Sequence, residues 1–338
     1  MHGVMHACSL PSLRGPLTEF LIDRLARPPH RLPPEPEPSG DPWLGEDGPL
    51  SLTLCYELAY RGLSGVDAAW EWEPSLIDVR SRLEAAFLDR VMRDVGAAPD
   101  GRVDAESALR ALAGGDGPSL SAFVEAEGTV EQFREFAVHR SIYQLKEADA
   151  HTFAIPRLTG PAKAALVTIQ SDEYGDGRAA AMHATLFANT MRELDLDDRY
   201  GAYLDVVPGL TLSTVNLVSL FGLHRRWVGA LVGHLALFEM ASVGPNGRYA
   251  NALRRLGFGP AATEFYDVHV AADAVHEVVA LRDMVGGLLA DAPSLAPDVV
   301  FGARALSAVE ATFADHLMSA WRAGRSSLLE QPAAQAAA

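Results

Sequence analysis

The chain has 338 residues and a formal net charge of −16, from 44 acidic and 28 basic side chains. This length allows one large domain or two ordinary ones, and a hydrophobic share of 49% is enough for a sizeable core. So acidic a surface repels phosphate backbones and anionic lipids, which argues against nucleic acid or a membrane as a partner. The two cysteines, Cys8 and Cys55, offer neither a disulfide framework nor a thiolate metal cluster.

The expected location is the cytoplasm. The N-terminus has no basic region followed by an unbroken apolar stretch, so no signal peptide is predicted. The most apolar region, residues 210–240, contains Arg225, His234 and Glu239. Those polar side chains predict a buried core helix there and not a membrane span.

The first third of the chain predicts short helices around an irregular segment. Residues 28–50 are too rich in proline and glycine for regular structure and predict a wrapping loop. Short helices are expected on either side, at 17–26 and 54–61. Apolar residues recur at helical spacing over 76–95, and a further short helix is expected at 104–113.

From residue 119 onward the pattern predicts one helix after another, with no alternating strand pattern. Breaks are expected at residue 128, at 156–160, at 175–177, at residue 208, at 245–247 and at 293–297. The predicted fold class is therefore all-α. We expect a helical bundle over 119–325, an N-terminal helical segment over 1–118 packed on it, and a disordered tail over 326–338.

The string His269-x3-Asp273-x2-His276 is the sharpest chemical signal in the sequence. In a helix these three side chains lie within about 60° of arc, so they share one face, and their neighbours are apolar. Burying them without a metal or full pairing costs several kcal/mol, and imidazole with carboxylate suits iron. A solvated polar stripe, or a core histidine bonded to an aspartate, remains the alternative.

Glu173 and His183 form a second candidate pair. In one straight helix they would lie about 15 Å apart along the axis and could not share a metal. Gly175 and Gly177 supply a break that allows the two side chains to converge. The alternative is an ordinary turn that ends a helix.

Two further glutamates stand out. Glu147 closes a predicted helix over 130–150 and shares a face with His139 and Tyr143 at i, i+4, i+8 spacing, although a glutamate at a helix end is often only solvated. Glu239 lies in a very apolar segment, which implies burial beside a pocket. Catalytic or pocket roles are therefore predicted for Tyr143, Glu147 and Glu239.

Taken together, these residues resemble the ligand pattern of the haem-oxygenase-like non-haem diiron oxidases and oxygenases, the iron-containing redox enzyme family. The resemblance covers about residues 130–285 and is carried by the order of these glutamates, histidines and Asp273 and by the phrases YQLKEAD, DEYG and LFEM. The segment YELAYRG resembles a subgroup of the family less specifically.

The resemblance implies a haem-oxygenase-like helical bundle with additional N-terminal helices, and no haem. It implies two Fe(II) ions, O2 as co-substrate and an external electron donor. Glu173 would bridge or neighbour both irons, and Glu147 would be the additional carboxylate of the N-oxygenating members. The implied metal ligands are Glu147, Glu173, His183, His269, Asp273 and His276.

The expected activity is O2-dependent oxidation, favouring N-oxygenation, of a small amine or amino acid in natural-product biosynthesis. Oxidative C–C cleavage or desaturation of an amino acid or fatty acid, or a non-catalytic metal-binding scaffold, are the alternatives. A ferritin-like diiron site is excluded, because no Glu-x-x-His occurs in the chain. A thiaminase-like reaction would need a core cysteine nucleophile, to which Cys8 and Cys55 are poorly placed. The partner is expected to be a small molecule, and a homodimer is left open.

Overall fold

The computed structural model describes residues 7–96, 98, 103–115 and 119–330. These residues are mostly helical and form no β-strand, apart from a single parallel bridge between Cys8 and Leu63. The all-α prediction is confirmed. The α-helices are α1 (Pro16–Leu25), α2 (Asp47–Glu57), α3 (Pro74–Val95), α4 (Ala105–Ala113), α5 (Leu120–Ala126), α6 (Val130–Gln144), α7 (Asp149–Thr152), α8 (Gly160–Glu173), α9 (His183–Glu193), α10 (Gly209–Leu223), α11 (Val228–Arg255), α12 (Pro260–Val278), α13 (Gly286–Asp291) and α14 (Ala296–Arg322).

The N-terminal helices α1, α3 and α4 begin and end within a few residues of the predicted bounds. Helix α2 differs, because it begins at Asp47, inside the segment predicted as a loop, and ends at Glu57. The reason is a buried contact. The Asp47 carboxylate accepts backbone hydrogen bonds from Leu17 (3.1 Å) and Thr18 (2.8 Å), which fixes the start of α2 against α1. The spacing of apolar residues in the sequence does not reveal such a contact.

Helix α11 is the central element, packed against α12 and α14. By length and composition alone, the segment Arg225–Arg255 could cross a membrane, but 56% of its apolar window is buried inside the protein. A core helix of a soluble protein passes the same test. Residues 229–237 are buried without interruption, as the sequence predicted for this region.

The predicted break at residues 245–247 is wrong, because α11 continues through Pro245 to Arg255. A proline inside a helix removes one backbone hydrogen bond, here the bond to the carbonyl of Ala241. Ala241 is exposed, so water can satisfy that carbonyl. The helix therefore tolerates the proline.

Helix α6 ends at Gln144, six residues before the predicted end at residue 150. The chain then turns through Ala148, whose left-handed φ of 72° no continuous helix allows. In this turn Lys146 and Glu147 extend into different surroundings. Lys146 forms a buried ion pair with Glu57 at 2.5 Å, whereas Glu147 lies at the candidate site.

Part of the tail predicted to be disordered packs on the bundle. Ser327 is buried and donates from its hydroxyl to Glu135 at 2.6 Å. The backbone N–H of Leu329 donates to the carbonyl of Val206 at 2.8 Å. Residues 326–330 therefore differ from the prediction, and residues 331–338 lie outside the described part of the chain.

Candidate metal centre

Four helices and one turn bring the candidate side chains together. Glu173 is the last residue of α8, and His183 is the first residue of α9. Helix α12 carries the His/Asp/His string, α11 carries Glu239, and Glu147 comes from the turn after α6. All of these side chains are buried.

The break between α8 and α9 has the predicted form. Positive φ angles at Gly175 (64°), Asp176 (50°) and Gly177 (77°) turn the chain sharply between the two helices. A Cβ on Gly175 would lie only 2.6 Å from the carbonyl carbon of Ala181, so this position requires glycine. The bend places Nδ1 of His183 2.7 Å from Oε2 of Glu173.

The first donor group contains Glu147, Glu173, His183 and His269, whose ligand atoms all lie within 4.8 Å of one another. Nε2 of His269 is 3.7 Å from Oε1 of Glu147. The rings of His183 and His269 lie 4.2 Å apart between centroids. Two carboxylates and two imidazoles in one buried spot are a donor set that suits iron.

The second donor group contains Glu173, Glu239 and His276, again within 4.8 Å of one another. Nδ1 of His276 is 3.3 Å from Oε2 of Glu239 and 3.8 Å from Oε1 of Glu173. Glu173 thus belongs to both groups. Glu239, predicted as a pocket residue, stands as a candidate ligand.

Asp273 lies beside these groups without belonging to either. It is buried, and its Oδ1 is 4.0 Å from Nδ1 of His276. Its Oδ2 accepts hydrogen bonds from the Ser242 hydroxyl (2.6 Å) and the Asn246 amide (3.3 Å). The implied role of Asp273 as a ligand therefore stays a prediction.

Three buried atoms at the centre have no hydrogen-bond partner among the described residues: Oε2 of Glu173, Nδ1 of His183 and Nδ1 of His276. The close approach of Glu173 to His183 lacks hydrogen-bond geometry. Leaving such atoms unpaired inside a protein is costly, whereas a cation at the centre would satisfy all three. The side chains present therefore fit a metal.

Neighbouring groups orient two of the histidines. Nδ1 of His269 lies 2.7 Å from the carbonyl of Phe265, to which it can donate, and this leaves Nε2 for the centre. Nε2 of His276 lies 3.0 Å from Oδ2 of Asp172, and this leaves Nδ1 for the centre. Such outer contacts fix the ring orientation of metal-binding histidines.

Asp172, Ser242 and Asn246 contact the candidate ligands but were not predicted from the sequence, although their spacing from Glu173 and Glu239 could have indicated them. Asp172 directly precedes Glu173, and Ser242 and Asn246 follow Glu239 at i+3 and i+7 on one helix face.

Without a cation, carboxylates and histidines at the centre keep their protons to a higher pH than usual. Burial raises the pKa of Glu173 to about 7 and that of Asp273 to about 6. Burial alone would lower the pKa values of the histidines. At His269 and His276, however, neighbouring carboxylates raise the pKa by more than burial lowers it. Glu147 raises the pKa of His269 to about 10, and Glu239 raises that of His276 to about 9.

A small pocket adjoins the centre. Tyr143, for which a catalytic or pocket role is predicted, lines it, whereas His139 does not. Instead, His139 is hydrogen-bonded to Thr211 (2.7 Å) and Ser327 (3.1 Å) elsewhere in the bundle. The lining residues are Tyr143, Glu147, Ala148, His151, Gln170, Glu173, Leu235, Phe238, Glu239, His269 and Asp273.

Comparison with known families matches residues 134–311 to the model of a family described as iron-containing redox enzyme. That range covers more than half of the chain and contains every residue of both donor groups. Comparison with curated proteins gives no match.

Proposed function

Because the chain belongs to the iron-containing redox enzyme family, we propose that it is a non-haem diiron oxidoreductase that activates O2 to oxidise a small amine or amino acid. The favoured reaction is N-oxygenation in the biosynthesis of a natural product. The observation that carries the proposal is Glu173, a buried carboxylate shared by two donor groups.

Charge supports two divalent ions. Four carboxylates are buried at the centre, contributed by Glu147, Glu173, Glu239 and Asp273. Their four negative charges balance two Fe(II) ions, whereas without cations they repel one another in a medium that solvates them poorly. Three histidines complete the donor set. The six members of the two donor groups, or seven side chains with Asp273 added as the resemblance implies, leave positions open on two ions that each accept five or six ligands.

When bound, the irons would supply the electrons that reduce O2 and the Lewis acidity that holds it. The chain itself positions the substrate and manages protons. Burial and the nearby Glu147 carboxylate raise the pKa of Tyr143 well above its ordinary value. Its hydroxyl therefore stays protonated and can donate a hydrogen bond into the pocket.

For N-oxygenation, one oxygen atom of O2 enters the N–H bond of the substrate to give N–OH. The other oxygen atom leaves as water, which requires two electrons from an external donor and two protons. Glu147 supports this reaction over the alternatives, because it lies within 4.8 Å of the other members of the first donor group, where the resemblance to the N-oxygenating members implies an additional carboxylate. Oxidative C–C cleavage or desaturation by the same centre is the second candidate, favoured by the apolar side chains of Leu235 and Phe238 in the pocket wall.

The experiment is iron-dependent oxygen uptake. Protein loaded anaerobically with Fe(II) is mixed with O2 and a panel of amines and amino acids, while oxygen consumption and visible absorption are followed. His269→Ala and His276→Ala should each lose at least one iron and abolish uptake. His224→Ala is the matched control, because this histidine pairs with Glu84 at 2.8 Å outside the centre. Normal uptake by either centre variant would overturn the proposal.

Two other functions are distinguished from this proposal, one by the burial of the cysteines and one by the same experiment. A cysteine nucleophile is disfavoured because burial raises the pKa values of Cys8 and Cys55 to about 12, and neither lines the pocket. A non-catalytic metal scaffold would show iron binding without oxygen uptake in the same experiment. A small-molecule substrate and a cytoplasmic location complete the proposal.

A further inference from the structure

The segment 56–62 (YELAYRG) forms the end of α2 and the turn that follows it. It lies far from the centre in sequence and outside the range 134–311 that matches the iron-containing redox enzyme family. In the fold, however, its polar side chains contact the turn 145–148, from which Glu147 extends to the first donor group.

Lys146, the residue before Glu147, is held by this segment from two sides. Its ammonium group pairs with the Glu57 carboxylate at 2.5 Å and lies 4.2 Å from the centroid of the Tyr60 ring. Lys146 is 4% exposed and Glu57 is 1% exposed. Because separating the pair would leave two charges that water cannot reach, Lys146 stays in one position.

Arg61 contacts the chain before and after Glu147. Its guanidinium group donates to the carbonyl of Leu145 at 3.1 Å and pairs with Asp149, the first residue of α7, at 3.6 Å. The same guanidinium lies 4.9 Å from the centroid of the Tyr200 ring, which helps to orient it. Contacts at residues 145, 146 and 149 therefore enclose Glu147.

The turn depends on outside contacts because its backbone is strained. Ala148 has a φ of 72°, a left-handed conformation that costs free energy in a residue other than glycine. Such conformations persist where the surrounding structure fixes them. If the turn relaxed, the Glu147 carboxylate would leave its place 3.7 Å from Nε2 of His269.

Building on the proposed function, we propose that the segment 56–62 positions Glu147 for metal binding by holding the turn that carries it. Glu57, Tyr60 and Arg61 are positioning residues, because they contact the turn and belong to neither donor group. The second donor group takes its side chains from α8, α11 and α12, none of which contains the turn. Loss of these contacts should therefore weaken the first donor group selectively.

The test compares Arg61→Met with the matched control Arg134→Met. Arg134 also donates to a backbone carbonyl (Leu194, 2.8 Å) and pairs with an aspartate (Asp195, 2.8 Å). Asp195 has a left-handed φ of 57°, but the turn that contains it carries no candidate ligand. The two arginine side chains are 33% and 36% exposed, so both variants should fold.

Iron affinity is measured by anaerobic Fe(II) titration against a competing chelator. Glu147→Gln identifies the iron of the first donor group, because Glu147 belongs only to that group. Arg61→Met should bind this iron about 10–100-fold more weakly and the other iron less than about threefold more weakly. Arg134→Met should change neither affinity by more than about threefold. Equal affinities in the two variants, or equal losses at both irons in Arg61→Met, would overturn the proposal.

Tyr60 provides a conservative variant. Tyr60→Phe keeps the ring beside Lys146 and loses only the hydroxyl, which donates to Ser219 at 3.0 Å, so it should retain the iron of the first donor group. Tyr60→Leu removes the ring and should bind that iron at least about threefold more weakly than Tyr60→Phe. Equal affinities in the two Tyr60 variants would exclude the ring from the positioning.

Hydrogen exchange of the metal-free protein keeps this test separate from the proposed function. The backbone amides of residues 145–149 should exchange at least about tenfold faster in Arg61→Met than in Arg134→Met. Faster exchange with an unchanged iron affinity would show that the segment only supports the fold, and would refute the positioning of Glu147. Wild-type protein that binds no iron would refute the diiron proposal, and the exchange rates would then decide whether the segment holds the turn.

Discussion

Replacing Gly175 with alanine should damage both the fold and the iron site, because this glycine makes the bend that brings His183 to Glu173. Alanine at a φ of 64° costs about 1–2 kcal/mol in backbone strain. Its Cβ would also lie 2.6 Å from backbone atoms of Ala181 and Met182, which cannot move as a side chain tip can. Overpacking of this kind costs a further 1–3 kcal/mol or so. The free energy of unfolding should therefore fall by about 2–5 kcal/mol.

Gly177 provides the matched control. Its φ is 77°, but a Cβ placed on it meets nothing within 4 Å. Gly177→Ala should therefore lose only the backbone term of about 1–2 kcal/mol and keep its iron. Gly175→Ala should bind the iron of the first donor group at least about tenfold more weakly, because relief of the overlap displaces His183.

The assays are denaturant unfolding of the metal-free proteins and anaerobic Fe(II) titration against a competing chelator. Equal unfolding free energies and equal iron affinities for the two alanine variants would refute the reasoning. In that case the close approach of Gly175 to residues 181 and 182 would not affect the free energy of unfolding or the iron affinity.

Three further predictions concern charge. Iron affinity should fall as the pH decreases from 8 to 5.5, by about tenfold per pH unit for each proton displaced, because protons compete with the metal for His269, His276 and Glu173, whose pKa values are all raised. Chelator competition over this range that shows no slope would contradict the reasoning. Lys146→Met should lower the free energy of unfolding by about 3–5 kcal/mol, because the buried Glu57 carboxylate loses its cation and keeps only the hydrogen bond from the Tyr200 hydroxyl (2.6 Å). Adding Glu57→Gln should restore part of the loss. Denaturant unfolding that finds the double variant less stable than the single variant would contradict this. Asp172→Asn should weaken iron binding about 10–100-fold, because it removes the contact that orients His276. The free energy of unfolding of the metal-free protein should change by no more than about 1 kcal/mol. An unchanged iron affinity would show that Asp172 does not orient His276 for metal binding.

The sequence predicted the features that repeat or break within one segment. The spacing of His269, Asp273 and His276 placed them on one helix face, and the glycines after Glu173 marked the bend. Both follow from local backbone geometry, which a single segment encodes.

Features that depend on contacts between distant segments were not predictable in this way. The start of α2 depends on backbone groups of α1 that bind Asp47, and the end of α6 coincides with the turn in which Lys146 reaches Glu57. Glu239 appeared only as a buried glutamate, since its distance to His276 depends on how α11 packs on α12. The spacing of residues along one helix does not reveal which side chains of another helix they will contact.

Whether Glu173 is shared by two metal ions is most directly measured by the iron content and Mössbauer spectrum of the protein after anaerobic Fe(II) loading and desalting. Two irons per chain are expected, with magnetic coupling between them after oxidation, because one buried carboxylate belongs to both donor groups. A single iron, a tightly bound zinc or haem, or two irons without coupling would contradict the diiron assignment.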